Sequence, residues 1–137
     1  MSITFARLQD YLDSIVRKAQ GNLSASPHKR FWTTHDGLTK QPLPRVKCQN
    51  QPIFAVKFLD QAMTQVDADN SPLYVILTDS AGFCGKGQMP PNGPFITDAN
   101  YSLTLSDGTT VVTGDQVKQD IHDWLAAGAL DDPPPSA

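Results

Sequence analysis

Residues 113–129 read TGDQVKQDIHDWLAAGA, and this stretch carries the strongest helix pattern in the chain. The T-x-x-Q at its start is a capping box, in which two side chains satisfy the free backbone N–H groups of a first helical turn. Apolar residues then recur at intervals that place them on one face: Val117, Ile121, Trp124 and Leu125. Gly128 is the residue type that ends helices in a left-handed conformation. The stretch predicts an amphipathic helix over residues 114–127.

A second amphipathic stretch lies at the beginning of the chain. Its apolar residues are spaced by three and four positions, as on one helix face: Phe5, Leu8, Leu12, Ile15 and Ala19. Ser2 or Thr4 can cap the start, and Gly21 can end the helix. We therefore expect a helix over residues 4–20 that packs against the last helix.

Two more helices are predicted in the middle of the chain. Residues 52–66 begin with a proline and place apolar side chains on one face: Phe54, Phe58, Ala62 and Val66. Residues 53–58 are also β-favouring, so a strand is the alternative there. Ser71 followed by Pro72 is typical of a helix start and predicts a short helix over residues 72–78.

The segment that precedes the last helix has a different pattern. Apolar residues alternate on both sides of Asp107-Gly108, and this is the strongest short-range signal for a β-hairpin. We expect a hairpin at about residues 101–112. Its apolar face must cover something, because an isolated hairpin is only marginally stable in water.

Long stretches lack any periodicity. Residues 22–50 contain prolines at positions 27, 42 and 44 and are predicted to be irregular, apart from a helical turn over residues 26–32. Such long irregular segments are usually functional or wrapped around other elements. Residues 131–137, DDPPPSA, are predicted to be a flexible polar tail.

Length and composition restrict the class of protein. The 137 residues suit one domain, over residues 1–130, and the net charge of −3 with no basic cluster argues against a nucleic-acid partner. No apolar stretch is long enough to cross a membrane, and the first 20 residues lack the features of a secretory signal. These patterns predict a cytoplasmic protein without a membrane partner. In that compartment the two cysteines, Cys48 and Cys84, are expected to be reduced, and a disulfide between them is the alternative.

Three motifs of the chain also occur together in a known family. They are SPLYVILTD at residues 71–79, GQMPPNGPFIT at residues 87–97 and IHDWLAAGA at residues 121–129. In this combination the C-terminal half and the first helix resemble class I c-type cytochromes. The resemblance implies a mainly α, cytochrome c-like helical domain, into which the hairpin is inserted and in which residues 22–50 are irregular.

The haem attachment of that family is missing. Neither cysteine belongs to a C-x-x-C-H motif, so covalent haem is not expected. By the resemblance, Met89 holds the position of the sixth haem ligand and His28 lies near that of the proximal ligand. A methionine in a proline-rich loop can equally fill an irregular gap in the core, and we favour that interpretation over non-covalent haem.

The resemblance also indicates where a ligand would bind. If the fold holds, two groups of side chains face each other across the space that haem would vacate: His28, Phe31 and Trp32 on one side, and Phe83, Cys84, Met89 and Phe95 on the other. Concave apolar surfaces with a few polar groups are typical ligand sites. We expect a haem-free binding or accessory module whose partner is a small molecule or a protein. The alternatives are a redox domain with non-covalent haem or metal, and a small enzyme that uses the remodelled cleft.

Overall fold

The computed structural model describes residues 3–19, 31–43, 47–90 and 93–132. In these ranges, four helices and two antiparallel pairs of strands follow one another: α1 (Phe5–Ala19), α2 (His35–Thr39), β1 (Lys47–Cys48), β2 (Gln51–Pro52), α3 (Pro72–Thr78), β3 (Ser102–Thr104), β4 (Val111–Thr113) and α4 (Gly114–Ala126). The prediction of a mainly α, cytochrome c-like helical domain is therefore wrong. The described residues combine helices, two small antiparallel sheets and several irregular segments.

The predictions for both ends of the chain are confirmed. The helices α1 and α4 match the predicted ranges to within one or two residues, and α3 matches residues 72–78. Strands β3 and β4 form the predicted hairpin, with Leu103 opposite Val112. The backbone N–H of Gln116 donates to the Thr113 hydroxyl, which is one half of the expected capping box, while the Gln116 side-chain amide donates to Asp120.

The core forms where α1 meets the hairpin and α4. The ring of Phe5 stacks on that of Trp124, with 6.1 Å between the ring centroids. The Tyr11 hydroxyl donates to the Asp120 carboxylate over 2.5 Å, which adds a polar link between the two helices. Burial, reinforced by this hydrogen bond, raises the pKa of Tyr11 above its ordinary value. Strand β3 covers the other side of α1 with Leu103, which is fully buried.

The predicted helix over residues 52–66 is wrong. Residues 53–59 form neither a helix nor a regular strand, and bends interrupt them. The carbonyl groups of Ile53, Ala55 and Lys57 accept from the backbone N–H groups of Leu43, Leu73 and Asp67. Phe58 and Val66 then form an isolated β-bridge. The strand alternative is not met either, except for the bridge at Phe58, because the backbone groups of this segment are paired singly with distant residues and not along a neighbouring strand.

The predicted irregular segment over residues 22–50 contains two regular elements. Helix α2 begins after Thr34, whose hydroxyl accepts from the backbone N–H of Gly37. Strand β1 pairs with β2 through a turn in which Gln49 and Asn50 both have positive φ. Part of that prediction is therefore also wrong. The helical turn predicted over residues 26–32 lies largely outside the described residues.

The two cysteines are joined. Cys48 in β1 forms a disulfide with Cys84, and their Cα atoms are 5.9 Å apart. The expectation of two reduced thiols is wrong for this structure. The bond attaches the β1–β2 turn to a second tight turn, in which Phe83 and Lys86 exchange backbone hydrogen bonds.

The end of the described chain returns to its beginning. The backbone N–H groups of Phe5 and Ala6 donate to the two carboxylate oxygens of Asp132 over 2.7 and 3.0 Å. Asp132, the second residue of the predicted flexible tail, is thus held at the N-terminus of α1. Within the described ranges, no helix combines the length and the apolar character that a membrane span requires.

Candidate functional site

A cavity of about 390 Å³ lies beside α1. Helix α1 contributes one wall, the segment that precedes α2 contributes a second, and the hairpin turn closes a third. The residues that line the cavity are Ala6, Gln9, Asp10, Asp13, Trp32, Thr33 and Ser106. This volume lies within the range that holds a small organic molecule.

The periodicity of α1 positions its share of the lining. Positions 6, 9, 10 and 13 are separated by three and four residues and therefore lie on one face of the helix. That face borders the buried apolar stripe, which packs against the core on the other side. The stripe fixes the rotation of the helix, and the rotation directs a polar edge into the cavity.

The second wall is attached to α1 by three hydrogen bonds. The indole Nε1 of Trp32 donates to Asp13 Oδ1 over 2.8 Å. The side-chain amide of Gln9 donates to the backbone carbonyl groups of Trp32 and Thr33 over 3.1 and 3.0 Å. The indole ring is 8% exposed, so only a narrow part of it faces the cavity.

The third wall is attached through Asp10. Its carboxylate accepts the backbone N–H of Ser106 over 3.0 Å and the Ser106 hydroxyl over 2.8 Å. It also accepts the hydroxyl of Ser14 over 3.0 Å. A charged acceptor thus holds the hairpin turn against the helix, and charge-assisted hydrogen bonds of this kind are stronger than neutral ones.

The lining carries negative charge. It contains two carboxylates, and the lining residues include no lysine, arginine or histidine. Arg17 lies close by, but its guanidinium donates to the Ser14 hydroxyl over 2.8 Å. The charged side chains of the lining are thus all negative.

The residues that the sequence predicted to face each other have different neighbours in the structure. Trp32 lines the cavity beside α1, and its ring contacts that of Phe31. Cys84 is bound to Cys48, and Phe83 begins the adjacent tight turn. The backbone N–H of Met89 donates to Ile76 in α3, whereas that of Phe95 donates to the Asp98 carboxylate. His28 lies outside the described residues.

Of the two haem ligands that the resemblance implies, Met89 belongs to the described residues. The Met89 side chain is half-buried and packs against the apolar core. A thioether is a suitable axial ligand for haem iron. The second implied ligand, His28, is not among the described residues, and both cysteines are consumed by the disulfide. Of the two implied ligands the described residues include Met89 alone, so the expectation that the protein holds no haem stays a prediction.

Other titratable side chains make structural contacts. Nε2 of His122 lies 2.8 Å from a carboxylate oxygen of Asp69, and Nε2 of His35 lies 2.6 Å from the backbone carbonyl of Ala129. Burial, with a smaller effect from Asp98, raises the pKa of Tyr101 to about 12. Among the described residues, no group of three histidine, cysteine or acidic side chains is placed to hold a metal ion.

Sequence reasoning identified only one residue of the cavity, Trp32. Gln9, Asp10 and Asp13 belong to the polar side of an amphipathic helix, and such residues usually form a solvated face. Ser106 is one of several small polar residues in a hairpin turn. The sequence feature that could have indicated this lining is the i, i+3, i+4, i+7 spacing of Ala6 with these three polar residues. The sequence does not reveal which other segments pack over that edge of α1.

Comparison of the chain with protein-family models, with curated protein sequences and with solved structures gives no significant match.

Proposed function

We propose that this protein is a binding module that takes a small polar molecule into the cavity between α1, Trp32 and Ser106. The observation that carries the proposal is the shape and lining of this cavity. Three separate segments converge on about 390 Å³ of space, and five of the seven lining side chains carry a hydrogen-bonding oxygen. Ligand sites are typically concave and hold a few convergent polar groups on a pre-formed scaffold.

The hydrogen bonds between the walls support a pre-formed site. Asp10 and Asp13 connect α1 to the two other walls, and Gln9 adds two further links. Side chains held in this way lose little conformational freedom when a ligand binds, and this reduces the cost of association. The proposal replaces the site that the sequence predicted around Met89 and Cys84, and it retains Trp32.

The test is a ligand screen read out at the cavity. Small molecules that cover cationic, anionic, neutral polar and apolar chemistry are added to the ¹⁵N-labelled protein, and amide and indole signals are followed by NMR. We expect at least one class to shift the Trp32 indole signal together with the amide signals of Thr33 and Ser106. A screen in which no class moves these signals would contradict the proposal.

A blocking variant gives the matched control. Ala6 is exposed on α1 and lines the cavity, so Ala6→Phe fills the space without removing a hydrogen-bonding side chain. Ala126→Phe places the same side chain on an exposed position of α4. Binding should be lost in the first variant and kept in the second. Equal binding in both would locate the ligand elsewhere.

We also propose that the protein works in an oxidising compartment, in place of the cytoplasm that the sequence favoured. The support is the Cys48–Cys84 bond, since disulfides persist in oxidising environments and are rare in the cytosol. Trapping of free thiols with an alkylating reagent at the moment of cell lysis, followed by mass spectrometry, tests this. Alkylation of both cysteines would contradict it.

A further inference from the structure

The hydrogen-bond donors of the cavity are nearly all occupied. Both side-chain N–H groups of Gln9 donate to the backbone of the facing segment. The indole N–H of Trp32 donates to Asp13, and the hydroxyl of Ser106 donates to Asp10. Of the side-chain donors in the lining, only the Thr33 hydroxyl has no recorded acceptor among the described residues. A ligand therefore meets few groups that can donate to it.

The acceptors show the opposite pattern. Asp13 uses one carboxylate oxygen for the indole of Trp32, and its Oδ2 has no recorded donor among the described residues. The amide oxygen of Gln9 is also without a recorded donor there. A carboxylate offers about four acceptor positions and an amide oxygen offers two. The cavity thus presents an excess of acceptors, and one of them is charged.

We infer that the cavity binds its ligand through a protonated primary amine on an aliphatic chain; this inference rests on the proposed function. An ammonium group has three donors and no acceptor, so it suits a lining in which acceptors are free and donors are occupied. Its charge is opposite to that of the carboxylates of Asp10 and Asp13. Ala6 gives the aliphatic chain an apolar part of the lining to lie against.

The experiment compares isosteric probes. Butylamine and 1-butanol have the same chain length and differ in the charge and number of donors of the head group. Each is titrated into the intact protein while the Trp32 indole signal is followed by NMR. We expect butylamine to bind at least about tenfold more tightly than 1-butanol, because a hydrogen bond to a charged group is about twice as strong as a neutral one and tenfold in affinity corresponds to only about 1.4 kcal/mol. Added salt should weaken the binding of butylamine and leave that of 1-butanol unchanged.

Asp13→Asn tests the residue that carries the free acceptor. The asparagine oxygen can still accept the Trp32 indole N–H, whereas the charge is lost. We expect butylamine binding to weaken about tenfold. Asp115→Asn is the matched control, because Asp115 is exposed in the first turn of α4 and the change in net charge is the same. If Asp13→Asn does not fold, the salt dependence on the unchanged protein decides the question.

The outcomes separate the two proposals. Equal affinities for butylamine and 1-butanol, or unchanged butylamine binding in Asp13→Asn, would overturn the inference about the amine and leave the proposed binding function in place. Failure of every probe class to shift the signals of Trp32 and Ser106 would overturn both. N-acetyl-lysine N-methylamide serves as a further probe. Tighter binding of this molecule than of butylamine supports the inference and assigns the amine to a lysine side chain.

Discussion

The two ends of the chain and its middle obtain their structure in different ways. Helices α1 and α4 and the β3–β4 hairpin pack together through side chains that recur at helical or alternating spacing. The region from residue 47 to residue 90 has one short helix, and turns and bends make up much of the rest. It also buries apolar side chains, such as Val56, Leu73 and Leu77, but its segments are joined by single backbone hydrogen bonds between distant residues and by the Cys48–Cys84 bond.

This difference has consequences for stability. Packing of a continuous apolar face distributes its free energy over many contacts, and each large buried side chain contributes a substantial share. A segment without regular secondary structure, held by single hydrogen bonds, depends more on constraints such as a disulfide. The reason is that fixing its backbone costs conformational entropy at every residue. The ends should therefore respond most to core substitutions, whereas the middle should respond most to loss of the disulfide.

The largest effect is expected at Trp124. Its side chain is 2% exposed, its ring stacks on Phe5, and its indole N–H donates to the Leu130 carbonyl. Trp124→Ala should lower the free energy of unfolding by about 3–5 kcal/mol, because it removes a large buried ring and leaves a cavity. Equilibrium denaturation with urea measures this loss. Phe54→Ala, at an aromatic residue of the middle region that is 40% exposed, is the control and should cost much less.

The second effect belongs to the middle of the molecule. The disulfide links residues 36 positions apart, and replacing both Cys48 and Cys84 by serine should cost about 2–4 kcal/mol through the regained entropy of the unfolded chain. Hydrogen exchange should then accelerate in β1, β2 and the 83–86 turn, while the amides of α1 and α4 keep their relative protection. Uniform acceleration across both regions would show that they unfold as one unit and would remove the distinction between them.

The same difference explains what the sequence could predict. In α1 and α4, local spacing coincides with the tertiary contacts, so the pattern of Leu8, Leu12, Val117 and Ile121 indicated both the helices and their buried faces. In residues 53–59 the apolar residues fit a helix as well as a strand. The choice depends on Leu43, Leu73 and Asp67, which donate to this segment from elsewhere in the chain. No local pattern in residues 53–59 identifies these distant partners. Likewise, no local pattern in α1 identifies the two cavity walls to which Asp10 and Asp13 are hydrogen-bonded.

A smaller effect is expected where the chain closes on itself. Asp132 accepts the backbone N–H groups of Phe5 and Ala6 at the start of α1. Asp132→Ala should destabilise the protein by about 1 kcal/mol, which is typical for the loss of a helix cap. Asp115→Ala removes a carboxylate from the first turn of α4 and measures the charge–dipole contribution alone. If urea denaturation gives the same loss for both variants, the hydrogen bonds that Asp132 accepts add no stability beyond the effect of its charge.

The smallest effect is expected in the turn of the β3–β4 hairpin. Asp107 is exposed, and hydrogen bonds, chiefly from the Thr110 hydroxyl, lower the pKa of its carboxyl group to about 2. Because the pKa is lower in the folded state, the carboxylate stabilises the turn above its ordinary pKa of 3.8, and this contribution is lost as the pH falls towards 2.

Thr110→Val removes the hydroxyl and keeps the β-branched shape, so the pKa of Asp107 should rise towards its ordinary value. Thr104→Val, on an exposed position of β3, should leave it unchanged. NMR titration of the carboxyl carbon measures both, and a midpoint that does not move in Thr110→Val would show that backbone N–H groups alone hold the charged form.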